Sequence, residues 1–295
     1  MSKAHAGLGN RVSTVLARQL GGQLLAFREA AGLNQAQAAD ALSAQAAKVA
    51  KMERGWVPFR DPDVVALCRL YEVDDPQVVQ GLLRLAKLDR ERRRAKGWWV
   101  SSLTAGNLRE YIAMEDVAIK VRTWQLALIP GLFQTPEYMR ALAVAAVSPD
   151  EIDEVERIVD VRVRRQHRLG GSSPLRVHAV IWEAALRQMI GGPQVMRQQL
   201  EHLRELAERP TIDVQVLPFR AGVHSCGGGS FNILTFAEEG ATDVVHMDGL
   251  RTTNWVEGVE ESASYTELFA RTCAMSLSPY DSMRFLESVA KGMNE

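Results

Sequence analysis

The chain has 295 residues, of which 46% are apolar and 24% charged, and its net charge is −1. That length allows about two domains of ~100–200 residues, and the composition is that of a folded globular chain rather than a disordered one. A chain that is basic throughout is excluded. Cys68, Cys226 and Cys273 are an odd number in unrelated contexts with no C-x-x-C pair, so neither a disulfide framework nor a cysteine zinc site is expected.

The near-zero charge hides an asymmetry. Residues 1–97 carry 16 basic and 10 acidic side chains, and residues 98–295 carry 19 and 26. A basic module on an acidic body points to one part touching a polyanion and another doing something else. No apolar run approaches the ~18 residues of a membrane helix, and no apolar signal segment follows Lys3 and Arg11. The expectation is a cytoplasmic, nucleoid-associated protein with no membrane partner.

In chain order, the first pattern is helical. Leu16, Leu20, Leu24 and Phe27 lie on one helix face over residues 15–31, weakened by Gly21 and Gly22 and stopped at Gly32. Asn34 caps a second helix over residues 35–42. After a turn at 43–45, a third helix runs from Ala46 to Arg54 and ends at Gly55. A fourth starts after Asp61 or Pro62, and a fifth follows Asp75-Pro76. Two short helices joined by a three-residue turn, with flanking helices for a core, make a helix-turn-helix plan.

The stretch L-L-A-F-R-E-A-A-G-L-N-Q-A-Q-A-A-D-A-L, followed by K-V-A-K-M-E-R-G, resembles the xenobiotic-response-element type of helix-turn-helix over roughly residues 20–75. The resemblance implies double-stranded DNA as partner. By it, Gln35 matches a phosphate-contacting position, and Gln45, Ala46, Ala47 and Lys51 match positions at or near base edges. Lys48 matches a phosphate-facing position, and Arg54 joins the DNA-binding set. Arg28 and Glu53 match a buried ion pair. The physics agrees, since helix N-termini and lysines both favour phosphate. Ala46, Ala47 and Ala50 carry only methyls, so direct readout is sparse and falls to Gln45 and Lys51.

Residues 89–96 read D-R-E-R-R-R-A-K, a solvated helix end or a strip along a phosphate backbone. Gly97 breaks it, and Trp98-Trp99 open a second domain. The expected domains are 14–90, an all-α helix-turn-helix domain, and 98–291, a larger α+β regulatory domain that senses a partner protein or a ligand. The fold class is mainly α with α+β.

In the body, helices are expected at 108–117, 136–146, 183–190, 193–208, 260–275 and 279–291. A long helix to about Leu169 is expected behind a capping box at 148–151. Strands are expected at 119–126, 175–182, 212–217, 230–236, 243–247 and 250–256. Four segments, P-G-L-F-Q-T-P-E-Y-M-R-A-L, W-E-A-A-L-R-Q-M-I-G-G-P-Q-V-M-R-Q-Q-L-E-H-L, V-Q-V-L-P-F-R-A-G-V-H and A-M-S-L-S-P-Y-D-S, complete the pattern. Their order and spacing resemble the C-terminal domain of actinobacterial helix-turn-helix regulators of the WhiJ-like, antitoxin-like type. That resemblance implies a transcriptional regulator beside a small acidic partner protein.

Chemistry finds little support. Cys226 and His224 are sequence neighbours on a loop with no third orienting group, and the Gly227–Gly229 run lacks the lysine of a P-loop. The six histidines have no H-x-x-x-H or H-E-x-x-H spacing, so neither a metal nor a cofactor is expected. Glu183 reads as a helix cap, the 220–230 loop as a mobile surface segment with an incidental thiol, and Arg162, Arg164, Arg165 and Arg168 as a solvated face. The expectation is a homodimeric, non-enzymatic, sequence-specific DNA-binding regulator. The alternative is an antitoxin-like interaction module that sequesters a small partner protein.

Overall fold

The structure is a computed structural model that describes residues 15–94, 106–148, 152–237, 242–249 and 253–293. The chain divides into two compact units, Met1–Gly97 and Trp98–Glu295. Trp98 and Trp99, residues 149–151 of the predicted capping box at 148–151, and the opening of the last predicted strand at 250–252 lie outside the described residues.

Unit one is all-α: α1 (Val15–Ala30), α2 (Gln35–Ala41), α3 (Ala46–Glu53), α4 (Asp61–Leu70) and α5 (Pro76–Arg94). Leu20, Leu24, Val49, Met52, Phe59, Val64, Leu67 and Leu82 form one buried core, as the helical spacing requires. Asn34 caps α2 reciprocally with Gln37: its side chain accepts from the Gln37 N–H, and the Gln37 side chain accepts from the Asn34 N–H. α1 and α3 end the same way. Gly32 and Gly55 take left-handed φ values of 68° and 71°, and their N–H groups donate to Glu29 and Met52. The following residues, Leu33 and Trp56, donate to the carbonyls of Arg28 and Lys51.

Gly21 is not a weak point of α1. A Cβ there would lie 2.3 Å from the Glu53 carbonyl oxygen and 2.7 Å from that of Met52. The absent side chain is what lets α1 rest directly on the end of α3. The 89–96 run is not a uniformly solvated end either. Asp89 is buried, and Arg90 donates to the Phe59 carbonyl and to Asp61.

Unit two is α+β, built on a six-stranded sheet in the order β3-β2-β1-β4-β5-β6. Its strands are β1 (Lys120–Gln125), β2 (Arg176–Trp182), β3 (Ile212–Leu217), β4 (Phe231–Thr235), β5 (Val244–Asp248) and β6 (Thr253–Val256). β1, β2 and β3 are parallel, and β4, β5 and β6 continue antiparallel from β1. The helices are α6 (Gly106–Val117), α7 (Pro136–Ala146), α8 (Glu154–Gln166), α9 (Glu183–Arg187), α10 (Pro193–Ala207), α11 (Val259–Met275) and α12 (Pro279–Gly292). Trp124, Val180, Phe231, Ile233 and Val245 are packed with Phe269 of α11 in one core cluster.

Several expectations need correction here. α8 begins at Glu154, with no side-chain cap from Asp153, so the helix is shorter than the sequence implies. Arg164 is exposed, but Arg162, Arg165 and, just past α8, Arg168 do not lie on a solvated face. Arg165 pairs with buried Glu115 at 2.8 and 2.9 Å, and its guanidinium lies 5.2 Å from the Tyr111 ring centre. Burial opposes that charge, but Glu115 more than offsets it and raises the Arg165 pKa. Arg162 donates to Gln134, and Arg168 to the Ala118 and Ser173 carbonyls. These long side chains are committed to a carboxylate, a side-chain amide and backbone carbonyls elsewhere in the unit, which periodicity alone does not reveal.

Candidate nucleic-acid interface

α3 presents two faces. Val49, Met52 and Glu53 are buried, while Gln45, Ala46, Ala47, Lys51 and Arg54 are exposed. Positions 47, 51 and 54 follow one another at helical spacing, so they line one side of the helix. Gln45 is the N-cap residue, is exposed and makes no side-chain capping bond. Lys48 and Ala50 are half-buried at the margin of this face. Burial works against ionised Asp63, but hydrogen bonds from Arg60 and the Lys48 charge hold its pKa below the usual value.

What holds α3 in place is a polar network under the turn. Arg28 of α1 meets Glu53 of α3 in a two-pronged pair, Nε to Oε1 at 2.6 Å and Nη2 to Oε2 at 3.2 Å. Arg28 also donates to the Leu33 carbonyl at 2.8 Å, and Gln35 donates to Glu53 Oε2 at 2.7 Å. Both charges are over nine-tenths buried. The hydrogen bond to Glu53 raises the Arg28 pKa against the opposing effect of burial. Thus α1, the α1–α2 turn, the start of α2 and the end of α3 share one fixed point. Gln35 sits at the first position of α2 as the sequence implies, but its side-chain amide is committed to Glu53.

Trp56 is a residue that sequence reasoning missed. It is 41% exposed, and the Arg54 guanidinium lies 5.4 Å from its ring centre. The signal was present in the sequence: a large aromatic directly after the glycine that ends the exposed helix. Burial normally claims a tryptophan, so an exposed one beside a basic helix end extends the surface of α3.

A model described as a Helix-turn-helix domain matches residues 19–80, the span that holds this network. A second, described as Domain of unknown function (DUF5753), matches residues 108–288, more than half of the chain. The chain belongs to that family. No curated protein and no solved structure matches it. The helix-turn-helix domain marks a DNA-binding regulator, and no described helix is long and apolar enough to cross a membrane.

Within the DUF5753 domain the candidate catalytic neighbours diverge. Cys226 is buried, with Sγ 3.1 Å from Thr272 Oγ1, whereas the His224 ring lies against Trp124 and Trp182. The Cys226 thiol is therefore part of the core and not incidental, and the 220–230 loop is pinned at this point. Another pair does meet: Cys273 Sγ lies 3.8 Å from His178 Nε2. His178 is also 2.8 Å from Gln215, and burial pushes the Cys273 thiol up to about 11, which keeps it protonated at neutral pH. Glu183 does not cap a helix. Its carboxylate accepts from the Phe219 N–H at 2.7 Å and from Arg187 at 2.6 Å, which ties the end of β2 to the segment after β3. Among the described residues no group of three His, Cys, Asp or Glu side chains is placed to hold a metal ion.

Proposed function

We propose that this chain is a sequence-specific transcriptional regulator that grips double-stranded DNA through α3 as a homodimer, and that residues 98–291 sense a small acidic partner protein or a ligand without catalysing a reaction. The observation that carries the reading is the exposed face of Gln45, Ala46, Ala47, Lys51 and Arg54, held rigid from beneath by Arg28, Glu53 and Gln35. Rigid placement is what base readout demands, since a bidentate or methyl contact fails when the helix shifts by an ångström. In this reading Gln45 and Lys51 reach base edges and the two alanines meet thymine methyls. Lys48, Arg54 and the start of α2 at Gln35 face phosphates.

Pairing of two copies follows from size. One small module buries only about 600–1,000 Å² on DNA, and two half-sites about 34–36 Å apart restore specific affinity. The likeness of the body to WhiJ-like, antitoxin-like regulators supports a sensing role and a cytoplasmic, nucleoid-associated site of action. The separation of Cys226 from His224 and the protonated state of Cys273 support a body without enzymatic chemistry.

Selection of binding sites from a random duplex pool by the full chain tests the assignment. Lys51→Ala should relax base preference at one position, while Lys48→Ala should weaken all sites alike and leave the preferred sequence unchanged. Wild-type preference and affinity in both variants would remove α3 from the interface.

A further inference from the structure

The parallel strands β1, β2 and β3 end side by side at Gln125, Trp182 and Leu217. The segment from 218 to 230 then crosses these ends to enter β4, whose Phe231 pairs with Trp124 of β1. The carboxyl ends of parallel strands are where open α/β sheets place their ligands. Two pins hold the crossing segment. The Phe219 N–H donates to Glu183, and the Cys226 carbonyl accepts from Trp124 Nε1 at 3.0 Å.

Between the pins the chain turns outward and then in. Gly222 takes a φ of 74°, Val223 is 97% exposed, and His224 folds back onto the sheet. Its ring centre lies 5.2 Å from Trp124 and 5.8 Å from Trp182, while Phe219 meets Trp182 edge-on at 5.4 Å. An imidazole is a poor filling for such a slot. Its Nδ1 is buried and has no hydrogen-bond partner, so it forfeits the bond that it makes in water. A flat benzene-like ring keeps the edge-to-face contact with Trp124 and the tilted one with Trp182, and leaves nothing unpaired. Beyond the second pin, Gly227 and Gly228 have no left-handed φ, and a Cβ at either would meet nothing within 4 Å. Neither sterics nor backbone angle demands glycine there, and the missing side chains keep that edge of the segment open to an approaching molecule.

We propose that the slot between Trp124 and Trp182 is a binding site for an uncharged planar aromatic ring, and that His224 is a resident plug which such a ring displaces. Gly222 gives the backbone freedom for the plug to swing out, and the pinned Cys226 keeps the slot wall in place. This assignment rests on the reading of residues 98–291 as a sensor and names the ligand class and the place.

The test uses the full chain and benzamide, with cyclohexanecarboxamide as the non-aromatic match, and reads dissociation constants by ligand-observed NMR. His224→Ala empties the slot and should bind benzamide at least tenfold more tightly than wild type. His224→Phe plugs the slot with a ring that leaves no polar atom unpaired and should abolish binding. Benzamide should exceed its saturated counterpart by at least tenfold in the alanine variant. Absence of binding to His224→Ala, equal binding of the two amides, or wild-type affinity in His224→Phe would overturn the site. DNA affinity of the same samples separates the two readings. Slot binding without any change in DNA affinity keeps the site and removes its part in sensing. A DNA affinity that responds to a partner protein while the slot stays empty keeps sensing and removes the site.

Discussion

Arg28 and Glu53 are two opposite charges removed from water, with each guanidinium nitrogen donating at least once and both carboxylate oxygens accepting. A buried pair of this kind stabilises little relative to an apolar filling, but breaking one half leaves the other charge uncompensated at a cost of about 3–5 kcal/mol. Arg28→Met and Glu53→Gln should each lower the melting temperature by many degrees and loosen α3 with it. Unchanged melting in both would show that the pair fixes nothing. Tyr71 is buried in the same unit, and burial pushes its hydroxyl up to about 12 from an unfolded value near 10. The neutral phenol is therefore favoured in the folded state. Its contribution is complete below about pH 10 and is lost as pH rises from about 10 to about 12. Alkaline unfolding followed by circular dichroism should be shallower across that window in Tyr71→Phe; an identical slope would contradict the shift. The ion pair was legible through the helix-turn-helix resemblance, which matches both residues to a buried pair. Trp56 was missed because its signal, an aromatic directly after the helix-ending glycine, is local and lies outside any periodic pattern.

At the scale of elements, one close approach sets the geometry of the DNA-facing helix. α1 crosses the end of α3 at Gly21, where a methyl would sit inside the Glu53 carbonyl. Gly21→Ala, which intrinsic helix propensity alone makes stabilising by up to ~1 kcal/mol, should instead destabilise, by at least the ~1–3 kcal/mol of core overpacking. Chemical denaturation gives the sign directly, and a gain in stability would mean that the two helices stand further apart. Helix starts and stops that use local chemistry were readable: Asn34 with Gln37, Thr135 before Pro136, and Ser278 before Pro279 all cap as their residue types imply. The true start of α8 and the roles of Arg162, Arg165 and Arg168 were not. The Gln134, Glu115 and Ala118 partners of these arginines lie 28 to 50 residues away in sequence, and no short window along the chain contains both ends of such a contact.

Across the whole molecule, the charge asymmetry and the helix pattern make the basic all-α unit and the acidic α+β unit legible in the sequence. The strand segments were legible too. Their order across the sheet was not, because β1 pairs with β2 on one side and with β4, more than a hundred residues on, on the other. The central claim is that DNA meets the chain on α3. Lysine footprinting of the full chain, by acetylation with and without a saturating duplex selected for binding, addresses it in a single measurement. Lys48 and Lys51 lie on or beside the proposed face, while Lys120 and Lys291 belong to the other unit and serve as internal controls. The account predicts that duplex DNA slows acetylation of Lys48 and Lys51 severalfold and leaves Lys120 and Lys291 unchanged. Protection confined to Lys120 and Lys291, or equal reactivity of Lys48 and Lys51 with and without DNA, would contradict it.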